Sequence, residues 1–90
     1  MDYRNICIIT KQNVKTGKHR TEVIIRGFNL LGSGKSVTKV TLAGIKGDVI
    51  LANNYDIFLY AGRGVSGLQG DVCIENELGE VIRGGSWKYE

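Results

Sequence analysis

Thirteen glycines are scattered through ninety residues that contain no proline. Each glycine inside a helix costs about 1 kcal/mol relative to alanine, so a chain punctuated this often cannot sustain helices. No segment holds a 3.6-residue apolar period either. The glycines therefore predict short strands joined by many turns. Ninety residues allow one domain, 1–90, with one modest core. An apolar fraction of 42% and a charged fraction of 23% are ordinary for a globular domain and argue against wholesale disorder. No apolar run approaches the roughly 20 residues of a membrane helix, so no membrane insertion by this domain is expected. The run at 6–9 is too short for the core of a signal peptide.

Seven strands are expected, each with a reason in the sequence. Residues 6–9 form a short apolar run. Residues 21–26 are rich in β-branched side chains and stop at Gly27. Residues 37–43 alternate, with Val40 and Leu42 directed inward, and stop at Gly44. Residues 48–51 and 56–60 flank the turn Ala52-Asn53-Asn54. In 71–76, Val72 and Ile74 point inward and Asp71, Cys73 and Glu75 outward. The last strand covers 80–83 and 86–89, interrupted by a bulge at Gly84-Gly85. Trp87 and Tyr89 share one face of it and close the end of the core, whereas an exposed Trp87 would be a binding hot spot. The spacing of strands and turns is that of an antiparallel β-sandwich. The Cys-Trp-Cys arrangement of antibody domains is missing.

Charge is divided unequally along the chain. Residues 1–46 carry a balance of +7 and residues 47–90 a balance of −4. The densest basic stretch is 11–20, read as a polar connection, with Lys11, Lys15, Lys18, His19 and Arg20. These five are the candidate interaction residues, because a basic stretch can serve an acidic protein, a nucleic acid or an anionic surface. The stretch holds no aromatic residue on which bases could stack, so nucleic acid is not the expected partner. The alternative reading is a solvated loop. Cys7 and Cys73 lack metal-binding spacing, and with one histidine they predict no zinc site. A disulfide between them depends on the fold bringing them together, and free thiols are the expectation.

Two glycine motifs imitate nucleotide sites. Gly32-Ser33-Gly34-Lys35-Ser36 resembles the end of a phosphate-binding loop. The first glycine of the full pattern is replaced by Asn29, and a strand rather than a helix follows. Its N–H groups are therefore not expected to converge on an anion. Gly62-Arg63-Gly64-Val65-Ser66-Gly67 satisfies G-x-G-x-x-G, again with a strand after it, and reads as an inter-strand loop. The lone histidine and the dispersed acidic residues form no acid–base or nucleophilic grouping. No enzymatic activity and no cofactor are expected.

Residues 21–30, Thr-Glu-Val-Ile-Ile-Arg-Gly-Phe-Asn-Leu, resemble the T-x-V-x-I-x-G-x-N-[LF] signature that opens IPT/TIG domains. Residues 37–44, 56–61, 70–74 and 84–89 resemble later strands of that family in the same order. The resemblance covers about 20–90. Before it, the proline of the usual first strand is absent, and His19-Arg20 stand where the family has two glycines. The resemblance implies an immunoglobulin-like (E-set) sandwich serving as a protein-interaction or spacer module. It implies one repeat of a larger cell-surface, adhesion or receptor protein, with an adjacent domain or a receptor as partner and an extracellular location. Two other roles within the family are a cytoplasmic domain that binds a Ral-type small GTPase and a dimerisation module of a transcription factor.

Overall fold

The computed structural model describes residues 7–90, so Ile6 of the expected first strand lies outside the described residues. The described residues form nine strands and no helix. These are β1 (Ile8–Gln12), β2 (Thr16–Gly17), β3 (Glu22–Phe28), β4 (Val37–Leu42), β5 (Ile45–Lys46), β6 (Asp48–Ala52), β7 (Asp56–Tyr60), β8 (Gln69–Asn76) and β9 (Val81–Tyr89). One sheet has the order β1-β3-β7-β6 and the other β2-β9-β8-β4-β5. The chain is a two-sheet β-sandwich.

Alternation builds the core. Val23 and Ile25 of β3 and Ile57 and Leu59 of β7 line the inner face of the first sheet. Val40 and Leu42, Val72 and Ile74, and Ile82, Trp87 and Tyr89 line the second. Burying each of these aliphatic side chains stabilises the fold by about 1.5–3 kcal/mol before chain entropy is counted. Val40, Leu42, Val72 and Ile74 point inward as the alternation predicts. Trp87 and Tyr89 are core residues whose rings meet edge to face at 5.7 Å. The Tyr89 hydroxyl donates to the Gly62 carbonyl at 2.9 Å, while burial pushes its pKa up. The expected bulge of the last strand is present: Gly70 pairs with Trp87 and Val72 with Gly84, leaving an extra residue on β9.

Residues 7–20 depart from expectation. Lys11 and Gln12 belong to β1 rather than to a connection, and Thr16 and Gly17 form a strand of their own. β2 runs parallel to β9, with Thr16 opposite Lys88 and Gly17 opposite Tyr89, so the sandwich is not wholly antiparallel. The cause is a change of sheet. After pairing with β3, the chain crosses to the edge of the second sheet. Side chains carry it across: Gln12 accepts from the Ser86 N–H and donates to the Ser86 carbonyl, and Asn13 accepts from the Ile24 N–H at 2.7 Å. Gly17 lets β2 lie against the core, because a Cβ there would stand 2.6 Å from Thr21 Oγ1 and 2.8 Å from the Trp87 ring.

Candidate interaction surfaces

The phosphate-loop look-alike connects β3 to β4. It is followed by a strand, as its sequence context requires. Its N–H groups nonetheless converge on anions, contrary to expectation, and the anions are the chain's own. Lys35 N–H donates to both Glu77 carboxylate oxygens, at 3.0 and 2.7 Å, and Ser36 N–H donates to Glu77 Oε1 at 3.1 Å. Ser33 N–H donates to Glu80 Oε1 at 2.8 Å. These backbone donors hold both carboxyls below their ordinary pKa. Gly34 makes room for the arrangement, since a Cβ there would collide with Glu77. Asn76 anchors it from below. This residue is 2% exposed, donates to the Leu31 carbonyl and to Glu80, and accepts from the N–H groups of Leu78 and Glu80. The donors that could have held a phosphate are thus spent on fastening a loop to the β8–β9 turn.

The second glycine motif wraps Tyr89. Gly67 N–H donates to the Tyr89 carbonyl, Gly62 receives the Tyr89 hydroxyl, and the Tyr89 ring fills the space beside Gly64. The loop leads into β8, not into a helix.

The five basic candidates are distributed over three kinds of element. Lys11 lies on β1 opposite Arg26 of β3. Lys15 lies in the crossing from β1 to β2, and its carbonyl accepts from Lys88 N–H. Lys11 and Lys15 line one shallow depression of about 300 Å³ with Thr10, Gln12 and Gly85. Lys18, His19 and Arg20 occupy the turn between β2 and β3, closed by Thr21 N–H on the Lys18 carbonyl. Arg20 lies 4.6 Å over the Tyr60 ring and 3.8 Å from the Asp48 carboxylate. The stretch is one basic run in sequence but several separate features in space.

A surface that the sequence reading passed over is more distinctive. The outward positions of the second sheet are mostly polar, with the cross-strand rows Lys39–Glu75–Val81 and Thr41–Cys73–Arg83, in which Val81 is the exposed apolar member. Cys73 is a half-buried free thiol, and Cys7 is also half-buried. The first sheet differs. Its outward rows are Lys11–Arg26–Asp56, then Ile24–Phe58–Leu51, then Glu22–Tyr60–Asp48. Phe58 is 39% exposed, Leu51 45% and Ile50 60%. Ile24, Ile50, Phe58 and Tyr60 border a groove of about 210 Å³. Arg26 pairs with Asp56 at 3.4 Å beside the apolar row. Further along the sheet, Phe28 and Tyr55 meet edge to face at 6.2 Å, with Ile8 opposite Phe28.

A depression of about 590 Å³ lies among Cys7, Gly32, Ser33 and residues 80–83. Among the described residues that line it, the one carboxylate is Glu80, which already accepts from Ser33 and Asn76. Among the described residues no group of three or more His, Cys, Asp or Glu is placed to hold a metal ion. Among them, too, no helix is long and apolar enough to cross a membrane.

No family model matches the chain, and no curated protein does. The fold is similar to part of a crystal structure of a "putative phosphatase" from Bacteroides thetaiotaomicron, with a TM-score of 0.68 and 23% identity. The likeness covers 92% of this chain but spans only 18% of the other. At that identity it speaks for the fold alone.

Proposed function

We propose that this domain is a non-catalytic protein-interaction module of immunoglobulin-like, IPT/TIG type. In this reading it is one unit of a larger cell-surface or adhesion protein and binds through the outer face of the β1-β3-β7-β6 sheet. The carrying observation is the exposed row Ile24–Phe58–Leu51, because a sheet face left to water normally alternates to polar residues. Strand order supports the topology. Lettering β1, β3, β7 and β6 as A, B, E and D, and β4, β8 and β9 as C, F and G, with the two-residue β5 as an addition beside β4, accords with the strand order of an immunoglobulin sandwich. The parallel β2 is then an extension of the first strand. The motifs at 21–30 and 70–74 support the IPT/TIG resemblance.

Strand addition to a small GTPase and contact with DNA find less support. The GTPase-binding reading places docking by strand addition at the first strand. β1 is an edge strand, but Thr10 is the extra residue of a bulge on it, as Ile50 is on the opposite edge strand β6, which disfavours such docking. The basic residues are dispersed, which disfavours a nucleic-acid footprint. The module reading is tested by placing a photo-crosslinking amino acid at position 58, on the apolar face, or at position 41, on the polar face, in the producing cell. Adducts from position 58 and none from position 41 are expected. No adduct from position 58, or equal yields from both, refutes the reading.

A further inference from the structure

We propose that the apolar face of the first sheet is an isologous interface between two copies of this chain. The inference rests on the interaction-module reading and names the partner. The argument is the order of charges on that face. The apolar row Ile24–Phe58–Leu51 lies in the middle. On one side is the row Lys11–Arg26–Asp56, with a net charge of +1. On the other is the row Glu22–Tyr60–Asp48, which with Arg20 over Tyr60 has a net charge of −1.

Two copies laid face to face are related by a two-fold axis in the plane of contact. An axis along the apolar row leaves that row facing itself and exchanges the flanking rows. Arg26 of one copy then faces Glu22 of the other, Asp56 approaches the other Arg20, and Ile24, Phe58 and Leu51 meet their own equivalents. Basic row meets acidic row on both sides of the axis. An axis along the strands would set the +1 row on the +1 row, so the first arrangement is the favoured one. Sheets packed face to face keep their strands nearly aligned, which either axis allows.

The size is adequate for reversible association. Four strands about 4.8 Å apart and five residues of about 3.3 Å rise present roughly 300 Å² in projection. Side-chain relief raises the area buried over both copies to about 1,000 Å², the lower limit for a specific interface. Self-association is therefore concentration-dependent rather than permanent.

Sedimentation equilibrium from roughly 10 µM to 1 mM tests the proposal, the range suited to an interface of this size. The weight-average mass is expected to rise from that of one chain toward two. Phe58→Lys, at an exposed position, remains monomeric. The decisive experiment uses Arg26→Glu and Glu22→Arg. Each variant alone sets like charges together across the two-fold axis and stays monomeric. A mixture of the two forms a heterodimer, because each contact then joins Glu to Arg, and the double variant self-associates again. A wild type that is monomeric throughout overturns the proposal, as does a dimer that survives Phe58→Lys or a mixture that fails to associate. Adducts from position 58 to a different protein, with a monomeric wild type, reject the second copy as partner and leave the module reading standing.

Discussion

Replacing Asn76 with alanine tests whether the β8–β9 turn and the loop before β4 are held together as one polar cluster. The side chain makes four hydrogen bonds at 2.7–3.0 Å from a position 2% exposed. Alanine leaves the Leu31 carbonyl and the N–H groups of Leu78 and Glu80 without these partners. Each bond has a net worth of about 0.5–1.5 kcal/mol. Leu78 and Glu80 are exposed, so water recovers part of the loss for their N–H groups. The expected cost is about 2–4 kcal/mol, a large fraction of the 5–15 kcal/mol typical of a domain. For a chain of this size it lowers Tm by roughly 10–25 °C. Urea titration followed by tryptophan fluorescence is the assay. Asn76→Asp sharpens it, because aspartate keeps the two acceptor bonds but sets a second carboxylate where Nδ2 now meets Glu80 at 2.7 Å. That variant is expected to be destabilised at pH 7 and to recover on acidification, when the two carboxyls share a proton. A loss below about 1 kcal/mol for alanine, or an aspartate variant as stable as wild type at pH 7, refutes the clamp.

Three further outcomes follow from the same geometry. Glu77 and Glu80 have folded pKa values below the ordinary 4.5, so their stabilisation is present above that pH and lost as pH falls through the folded values. The urea midpoint of wild type should fall in acid more steeply than that of Glu77→Gln/Glu80→Gln, and parallel profiles would contradict the assignment. Gly17→Ala forces a methyl group against Thr21 and Trp87 and is expected to cost about 1–3 kcal/mol by thermal unfolding. An unchanged Tm would mean that β2 does not lie where the structure places it. Inorganic phosphate titrated into the labelled protein should leave the amide resonances of Ser33, Lys35 and Ser36 in place, because Glu77 and Glu80 occupy those donors. Saturable shifts at the three amides would show an open anion site.

Much of the sandwich was legible because alternation and side-chain size are local. In β8, Asp71-Val72-Cys73-Ile74-Glu75 alternates outward and inward without exception, and the structure places each residue accordingly. β2 was illegible for the same reason. Two residues have no period, and what makes them a strand is a partner more than seventy positions away on β9. β5 is equally short. The carboxylate clamp was hidden by distance as well: Lys35 and Glu77 are 42 positions apart, and nothing beside the glycine motif announces which anion fills it. Composition suggested that the glycines serve turns, but Gly17, Gly70, Gly84 and Gly85 lie within strands and β3 runs on through Gly27 to Phe28, and only the fold shows that one of the glycine turns binds carboxylates.

The apolar face left a signal that was readable in principle. β3 contains Val23-Ile24-Ile25, β6 Val49-Ile50-Leu51 and β7 Ile57-Phe58-Leu59. Three consecutive apolar residues in a strand place apolar side chains on both faces. β8 shows what a strand with one wet face looks like in this same chain, so the three exceptions are internal evidence and need no outside standard. All three fall in one sheet and are neighbours there, in the order β3-β7-β6. Strand propensity alone does not require this, since threonine or tyrosine at the outward positions would serve a strand equally well. Nor does core stability, since the inner positions Val23, Ile25, Ile57 and Leu59 already fill the sandwich. The remaining physical demand on Ile24, Leu51 and Phe58 is a surface that covers them, and the charged rows on either side limit that surface to one with the opposite order of charge.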